Sequence, residues 1–443
     1  MKRSQFRIKF PIAFLIGIYF SGCVYHYAPI EEVGFQPPAT EDIVMYEINT
    51  PRFSITHDFQ GIIDRLDSIK ALGINTIWLM PIYPTGIVNS FGSPYCVRDY
   101  IAVNTSFGTM DDLQLLVNLA HEKNIAVILD WVANHTSWDN AWINNDGWYT
   151  EDASGNIISP PGTTWTDVAD LNFDNSDMRL AMIDAMKFWI ETTNIDGFRC
   201  DAADFIPFDF WQQAIDSLNN IPNKEIILLA EGARSDHFTA GFQINYSWSF
   251  LGYVKNVFNS NTSVAALFTT NEQEYNAIPD GAKKLRFTTN HDESNIETPV
   301  TLFGGIDAAL AASIITFYLE GVPLIYCGQE VGVSSSSVYT GAGSINWAIN
   351  PDLYATYKKL MNFYNNSDAL RKGILETFND TDVAIFRKSL NGEEALVIVN
   401  TRASAQIIDV PLSLEGEWTN AMDESSITLN DNLTLSPYQY WVM

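Results

Sequence analysis

At 443 residues, 47% hydrophobic and 18% charged, the chain is long enough for a large core plus a smaller appended domain and too apolar to stay disordered. Its 53 acidic residues against 25 basic ones give a net charge of −28, which excludes nucleic acid as a partner, because phosphate binding needs clustered Lys and Arg, and disfavours anionic substrates. A neutral substrate fits this balance, and the 13% of aromatic residues can fill a core or offer flat faces to sugar rings.

In chain order, the first segment reads as a targeting signal. Lys2, Arg3, Arg7 and Lys9 precede an apolar run over 10–20 that is short for a bilayer span. The run ends in Phe20-Ser21-Gly22-Cys23, which resembles the lipobox of bacterial lipoproteins. That resemblance implies cleavage before Cys23, a diacylglycerol on its thiol, and a membrane-anchored protein of the cell envelope, periplasmic or at the cell surface. An ordinary signal peptide with an incidental Cys, or an uncleaved anchor, is the other reading. The expected layout is a signal peptide over 1–22, a lipid-anchored tether over 23–40, a catalytic domain over 41–371 and a β domain over 372–443. The remaining Cys96, Cys200 and Cys327 are far apart, lack metal-knuckle spacing, and read as small buried residues.

Beyond the tether, short β-rich runs alternate with amphipathic stretches. Strands are predicted over 43–48, 75–80, 125–131, 195–200, 226–230, 242–247, 285–289 and 323–326. Helices are predicted over 59–72 after Asp58, over 110–123 with Asp111 and Asp112 in the first turn, and over 177–192 with Ser176 as cap. Eight such units imply a (β/α)8 TIM barrel, although a doubly wound sheet has the same local pattern. A Gly/Asp/Trp-rich excursion within 135–176 is too long for an ordinary connection and reads as a functional loop subdomain. From about Lys372 the pattern turns to alternating strands over 383–388, 395–399 and 405–410, as in a C-terminal antiparallel β-sandwich domain.

Barrel enzymes carry their chemistry at the C-terminal strand ends. Here those ends read Asp130-Trp-Val-Ala-Asn134-His135, then Gly197-Phe-Arg199-Cys-Asp201, then Leu-Leu-Ala-Glu231, then Asn-His291-Asp292. Each alone has a plain structural explanation, such as a helix cap for Asp201 or a polar pair for His291 and Asp292. Glu231 is harder to explain so, because a carboxylate closing an apolar strand is costly without a task. Together, four strand ends on one rim supply the three carboxylates of Asp201, Glu231 and Asp292, with two His and one Arg.

These four segments, in this order, resemble the signature regions of the α-amylase family of glycoside hydrolases. The segment around Ser93-Pro-Tyr95 is similar to the family's aromatic subsite, and Pro323-Leu-Ile-Tyr-Cys-Gly328-Gln329-Glu330 to its eighth strand. The resemblance implies Asp201 as nucleophile, Glu231 as acid/base and Asp292 as transition-state stabiliser. It implies sugar contacts for Arg199, His135, His291 and Tyr95, and a structural Ca²⁺ held by Asn134 and Asp170, where capping of the excursion is the alternative. Retaining chemistry would place the Asp201 and Glu231 carboxyls about 5–5.5 Å apart. The expected reaction is retaining hydrolysis of α-1,4 bonds in starch-like glucans or maltooligosaccharides. An α-glucosidase, a neopullulanase-like enzyme or a glucanotransferase is the near alternative, and a non-catalytic glucan-binding lipoprotein the remote one. Asp204-Phe205 after Asp201, in place of the Lys-His of many α-amylases, leaves linkage and chain length open. No organic cofactor is implied, and a monomer is the default.

Overall fold

The structure is a computed structural model that describes residues 34–336 and 343–443, so Cys23 and the apolar run before it lie outside the described residues. Residues from Phe35 to Met443 form one unit. Its first strands are β1 (Met45–Ile48), β2 (Thr76–Leu79), β3 (Ala126–Trp131), β4 (His135–Ser137), β5 (Val168–Asp170), β6 (Gly197–Cys200), β7 (Ile227–Ala230), β8 (Ile244–Tyr246), β9 (Lys283–Arg286) and β10 (Val322–Tyr326). β4 and β5 pair antiparallel with each other, while the other eight close a parallel barrel in the order β1-β10-β9-β8-β7-β6-β3-β2. That closure excludes the doubly wound sheet.

The runs Thr76-Ile-Trp-Leu79 and Ala126-Val-Ile-Leu129 are buried on both faces because a barrel strand has no solvent side. Alternate residues divide between two cores. Met45, Trp78, Ile128, Leu229, Ile244, Leu285 and Leu324 fill the barrel interior. Ile77, Leu79, Val127, Leu129, Phe198 and Leu228 face the surrounding helices.

Several predicted boundaries are corrected. The stretch 59–72 is two helices, Phe59–Ile63 and Leu66–Ala71, broken at Arg65, whose backbone leaves the helical region. Asp58 caps the first, accepting from the Gly61 N–H. The helix Ser176–Thr193 is capped by Asn175 rather than Ser176, its side chain accepting from the Asp177 and Met178 N–H groups. The strand read over 285–289 begins at Lys283 instead. Two charged side chains hid it: Lys284 reaches Asn245 Oδ1 at 2.7 Å, and Arg286 reaches Glu274 Oε2 at 2.6 Å. The excursion is closed at its base by the β4–β5 ribbon. Cys96, Cys200 and Cys327 are free and buried.

The C-terminal strands are β11 (Ile374–Phe378), β12 (Val383–Leu390), β13 (Glu393–Asn400), β14 (Gln406–Asp409), β15 (Gly416–Thr419), β16 (Ser426–Leu429), β17 (Asn432–Leu435) and β18 (Tyr440–Val442). β11, β12, β13 and β18 form one antiparallel sheet, accompanied by the ribbons β14–β17 and β15–β16. Alternation gives this sheet two buried faces. Val383, Ile385, Leu396 and Ile398 pack with Ile408, Leu414, Leu429 and Leu435 of the ribbons. Ala384, Phe386, Val397 and Val399 join the barrel's own outer core.

Candidate active site

Asp130 and Arg199 are register partners on the neighbouring parallel strands β3 and β6. Asp201, two residues past Arg199, points to the same face, and Glu231 follows the end of β7, the next strand. Arg199 is fully buried at the centre. Its Nη1 lies 2.8 Å from Asp130 Oδ1 and 2.7 Å from Asp201 Oδ1, and its Nη2 lies 2.9 Å from Glu231 Oε1. The rings of Trp78, Tyr95 and Tyr246 surround the guanidinium at 5.0, 5.8 and 5.8 Å. A fixed, planar, always-charged fork suits this position, since it serves several carboxylates without losing its proton.

One cation thus faces three carboxylates in a site of low polarity. Burial pushes the Asp130 and Asp201 carboxyls up from the ordinary range, and Arg199 opposes the rise. Burial pushes Glu231 furthest, to about 7, with Arg199 again opposing and the charges of Asp201 and Asp292 adding to the rise. Asp292 behaves oppositely. Burial would raise it, but the neighbouring charge and hydrogen bond of His291 hold it at about 2. Burial therefore favours a proton on Glu231, while His291 keeps Asp292 ionised.

Asp292 lies in the first turn of the helix His291–Ile296, which is capped by Asn290. The Tyr95 hydroxyl donates to Asp130 Oδ2 at 3.0 Å and lies 2.8 Å from His291 Nε2. His291 Nδ1 lies 2.6 Å from Glu47 Oε1, so both ring nitrogens have a partner within hydrogen-bond distance. Burial alone would lower the His291 pKa, but the charges of Asp292 and Glu47 hold it well above its usual value. His135 lies across the cleft, and burial lowers its pKa to about 4.

Glu231 is held by the chain just after the nucleophile candidate. The Ala202 N–H donates to Glu231 Oε2 at 2.7 Å, and the Ala203 N–H to the Glu231 carbonyl at 2.9 Å. Ala202 adopts φ 45° and ψ 38° to do so, a left-handed conformation that costs a residue with a Cβ about 1–2 kcal/mol. Asp204 then accepts from the Ala233 and Arg234 N–H groups at 3.1 and 3.3 Å, clamping the turn beyond Glu231.

The structure brings Asp201, Glu231, Asp292, His135, His291 and Tyr95 together around one cleft of ≈ 470 Å³, with Arg199 beneath it. Sequence reasoning missed Glu47, fully buried under His291, and the part of Asp130 in holding Arg199, Tyr95 and Trp78 together. The signal for Glu47 was present: a lone charge inside the apolar strand Met45-Tyr-Glu-Ile48, as with Glu231.

Asn134 and Asp170 are also close. Asn134 precedes His135, which pairs with Asp170 across the β4–β5 ribbon, and the Leu171 N–H donates to the Asn134 carbonyl at 3.2 Å. Burial raises the Asp170 pKa, with a hydrogen bond to Thr150 opposing it. Among the described residues no group of three or more His, Cys, Asp or Glu is placed to hold a metal. The donor set here is one carboxylate plus amide and carbonyl oxygens, which suits only a hard cation.

The alpha-amylase catalytic-domain family model matches residues 46–156 and 163–380. The chain is 32% identical over 342 residues to an "Alpha-amylase 3" of Dictyoglomus thermophilum, covering 68% of this chain and 66% of that protein. It is 26% identical over 431 residues to a cyclomaltodextrin glucanotransferase of Bacillus licheniformis, covering 86% of this chain and 58% of that one. The chain therefore spans less than two thirds of the length of either of these curated relatives. Among solved structures, an alpha-amylase from Lactobacillus plantarum superposes with a TM-score of 0.82 at 25% identity, covering 91% of this chain and 98% of the other. With the family model matching most of its length and the signature carboxylates gathered on one barrel rim, this chain belongs to the alpha-amylase family.

Proposed function

We propose that the chain hydrolyses α-1,4-glucosidic bonds of starch-like glucans or maltooligosaccharides with retention of anomeric configuration. The observation that carries this reading is the sharing of one buried guanidinium by Asp201 and Glu231, with Glu231 the readier of the two to hold a proton. Asp201 attacks the anomeric carbon while Glu231 gives its proton to the departing glycosidic oxygen, leaving a glycosyl ester on Asp201. Glu231, now ionised, takes a proton from water, whose oxygen displaces Asp201 and releases the sugar. Asp292, ionised and at the cleft, accepts hydrogen bonds from sugar hydroxyls and favours the distorted ring. His291, His135 and Tyr95 hold the same ring. The test is proton NMR of the first product from amylose, with maltotriose and pullulan alongside. An α-anomer is expected, and an initial β-anomer would sink the assignment. Asp201→Asn is expected to lower kcat by at least about 10³-fold.

Transfer to a second glucan in place of water is the alternative favoured by the likeness to a cyclomaltodextrin glucanotransferase. Longer or cyclic products from maltotriose in the same assay would establish it.

Ca²⁺ bound by Asn134 and Asp170 would brace the β4–β5 ribbon, which carries His135. Chelation is expected to lower the melting temperature and Ca²⁺ to restore it, with no such response in Asp170→Ala. Anchoring through Cys23 would place the protein in the cell envelope. The support is the basic and apolar segment before it, and Cys23→Ala is expected to move the protein from the membrane to the soluble fraction.

A further inference from the structure

His237 is a buried titratable group to which the proposed mechanism gives no task. It lies in the short helix Asp236–Ala240, just past the turn that follows Glu231, and is 1% exposed. Neither ring nitrogen makes a hydrogen bond of ordinary geometry among the described residues, an arrangement that costs free energy wherever it is kept. Its Nε2 lies 3.4 Å from Asp204 Oδ1, and its ring packs on Phe242 with centroids 5.6 Å apart. Burial lowers the His237 pKa against the charge of Asp204, and Arg234 and Asp236 are the other charges that face it. Lys284 of β9 feels the Asp204 charge as well. Gly232, the residue after Glu231, is pressed into the same contact. A Cβ there would lie 2.3 Å from Asp204 Oδ1 and 2.7 Å from His237 Cε1. The Gly232 carbonyl accepts from the Tyr246 N–H of β8 at 3.1 Å. Imidazole, carboxylate and glycine backbone therefore meet immediately behind Glu231.

We propose that His237 is a positioning residue for the acid/base: its imidazole holds the Asp204 carboxylate on the Ala233 and Arg234 N–H groups and so fixes Glu231 against Arg199 and Ala202. The proposal rests on the reading of Glu231 as the acid of a glucan hydrolase. The Asp204 side chain is 39% exposed, and its two N–H contacts are long, at 3.1 and 3.3 Å. Water competes for a carboxylate so placed, and an attractive group on its buried side keeps it on the turn. The His237 contact is attractive with the ring proton on Nε2, the tautomer that the Asp204 charge favours. Gly232 leaves room for that contact because it has no side chain. If the turn shifted, Glu231 Oε1 would leave Arg199 Nη2, now at 2.9 Å, and Oε2 would leave the Ala202 N–H, now at 2.7 Å. Water would then reach the carboxyl and bring its pKa down toward the ordinary range.

The test separates cleavage that needs an acid from cleavage that does not. Fluoride departs without a proton from the protein, so kcat/KM on α-maltosyl fluoride reads attack by Asp201, whereas maltopentaose needs Glu231 as well. His237→Phe keeps a ring against Phe242 and removes both nitrogens. It is expected to lower kcat/KM on maltopentaose about tenfold, through kcat with KM within about twofold, and to leave α-maltosyl fluoride within about twofold. The alkaline limb of the maltopentaose profile is expected to move to lower pH. His237→Gln, whose amide nitrogen can stand where Nε2 stands, is expected to restore both. Gly232→Ala, which forces the same contact apart without replacing a buried side chain, is expected to show the same split between substrates. Equal losses on the two substrates, or no loss on either, in both His237→Phe and Gly232→Ala would overturn the positioning role. An infrared titration reads Glu231 without turnover, through the protonated-carboxyl band that Glu231→Gln lacks. Its midpoint is expected at about 7 in the parent and lower in His237→Phe, and an equal midpoint in the two would overturn the proposal. A lowered midpoint in His237→Phe, with no hydrolysis of any glucan by the unsubstituted chain, would uphold the positioning of Glu231 and overturn the hydrolase reading alone.

Discussion

Arg199 brings one positive charge to Asp130, Asp201 and Glu231, and the shortage of charge sets the pH response of the site. In the proposed mechanism the acid limb of kcat/KM belongs to Asp201, raised by burial, and the alkaline limb to Glu231, at about 7. A bell between them is expected. The Asp130 charge adds to the rise of Asp201, so Asp130→Asn should move the acid limb to lower pH, measured as the pH profile of kcat/KM. Glu231 also makes stability depend on pH. Its folded pKa exceeds the unfolded value, so the folded chain binds more protons between the two and stability falls as pH rises through that window. Glu231→Gln removes this cost. The variant should lose activity by orders of magnitude yet melt higher than the parent at pH 8, and no lower at pH 4. Glu47 and Glu231 were equally visible as lone acids in apolar strands, but only the fold shows that one orients His291 and the other faces the cleft.

At the scale of elements, the turns after β6 and β7 are cross-braced. Asp204 accepts two N–H groups from the turn after Glu231, and Arg234 Nη1 donates back to the Asp204 and Ile206 carbonyls at 3.0 and 3.1 Å. Asp204→Ala should cost about 1 kcal/mol in urea unfolding. Its kcat should fall more than its KM rises, because the loosened turn carries Glu231, the proposed acid. The barrel strands themselves were legible as apolar runs with turn residues between them. The helix over 59–72 was not resolved into two, because its apolar periodicity continues across Arg65 and only packing shows the break. β9 was misplaced because Lys284 and Arg286 mimic a loop in sequence, and the buried partners that neutralise them come from other elements.

Across the whole molecule, the C-terminal sheet is part of the barrel's core rather than an appendage, since one face of β12 and β13 packs into it. The helix Ile306–Tyr318 is buried nearly all round, packed on β10 and on β13, which is why it is apolar on every side. Arg402 fastens the same junction. Its Nη1 donates to the Val257 carbonyl at 2.5 Å, its Nη2 to Thr262 at 2.9 Å, and its Nε to Asp382 at 2.6 Å. Arg402→Ala should destabilise by about 2–3 kcal/mol, since it strands buried carbonyls. Loss of activity and loss of secondary structure in urea should remain coincident, as expected of a shared core.

What the sequence determined by itself was local: apolar runs of strand length, the four carboxylate-bearing strand ends, the turn signals and the change to alternating strands after the barrel. Those features depend on periodicity and burial preference, which neighbouring residues encode. Closure of the barrel was decided only by tertiary structure, because a doubly wound sheet has the same local pattern. So were the sharing of Arg199 by three carboxylates, the placing of His291 between Glu47 and Tyr95, and the meeting of Trp165 with Phe205. Each depends on side chains separated by tens to hundreds of residues, and their charges and rings take on a role only where the fold excludes water and sets them within a few ångströms of each other.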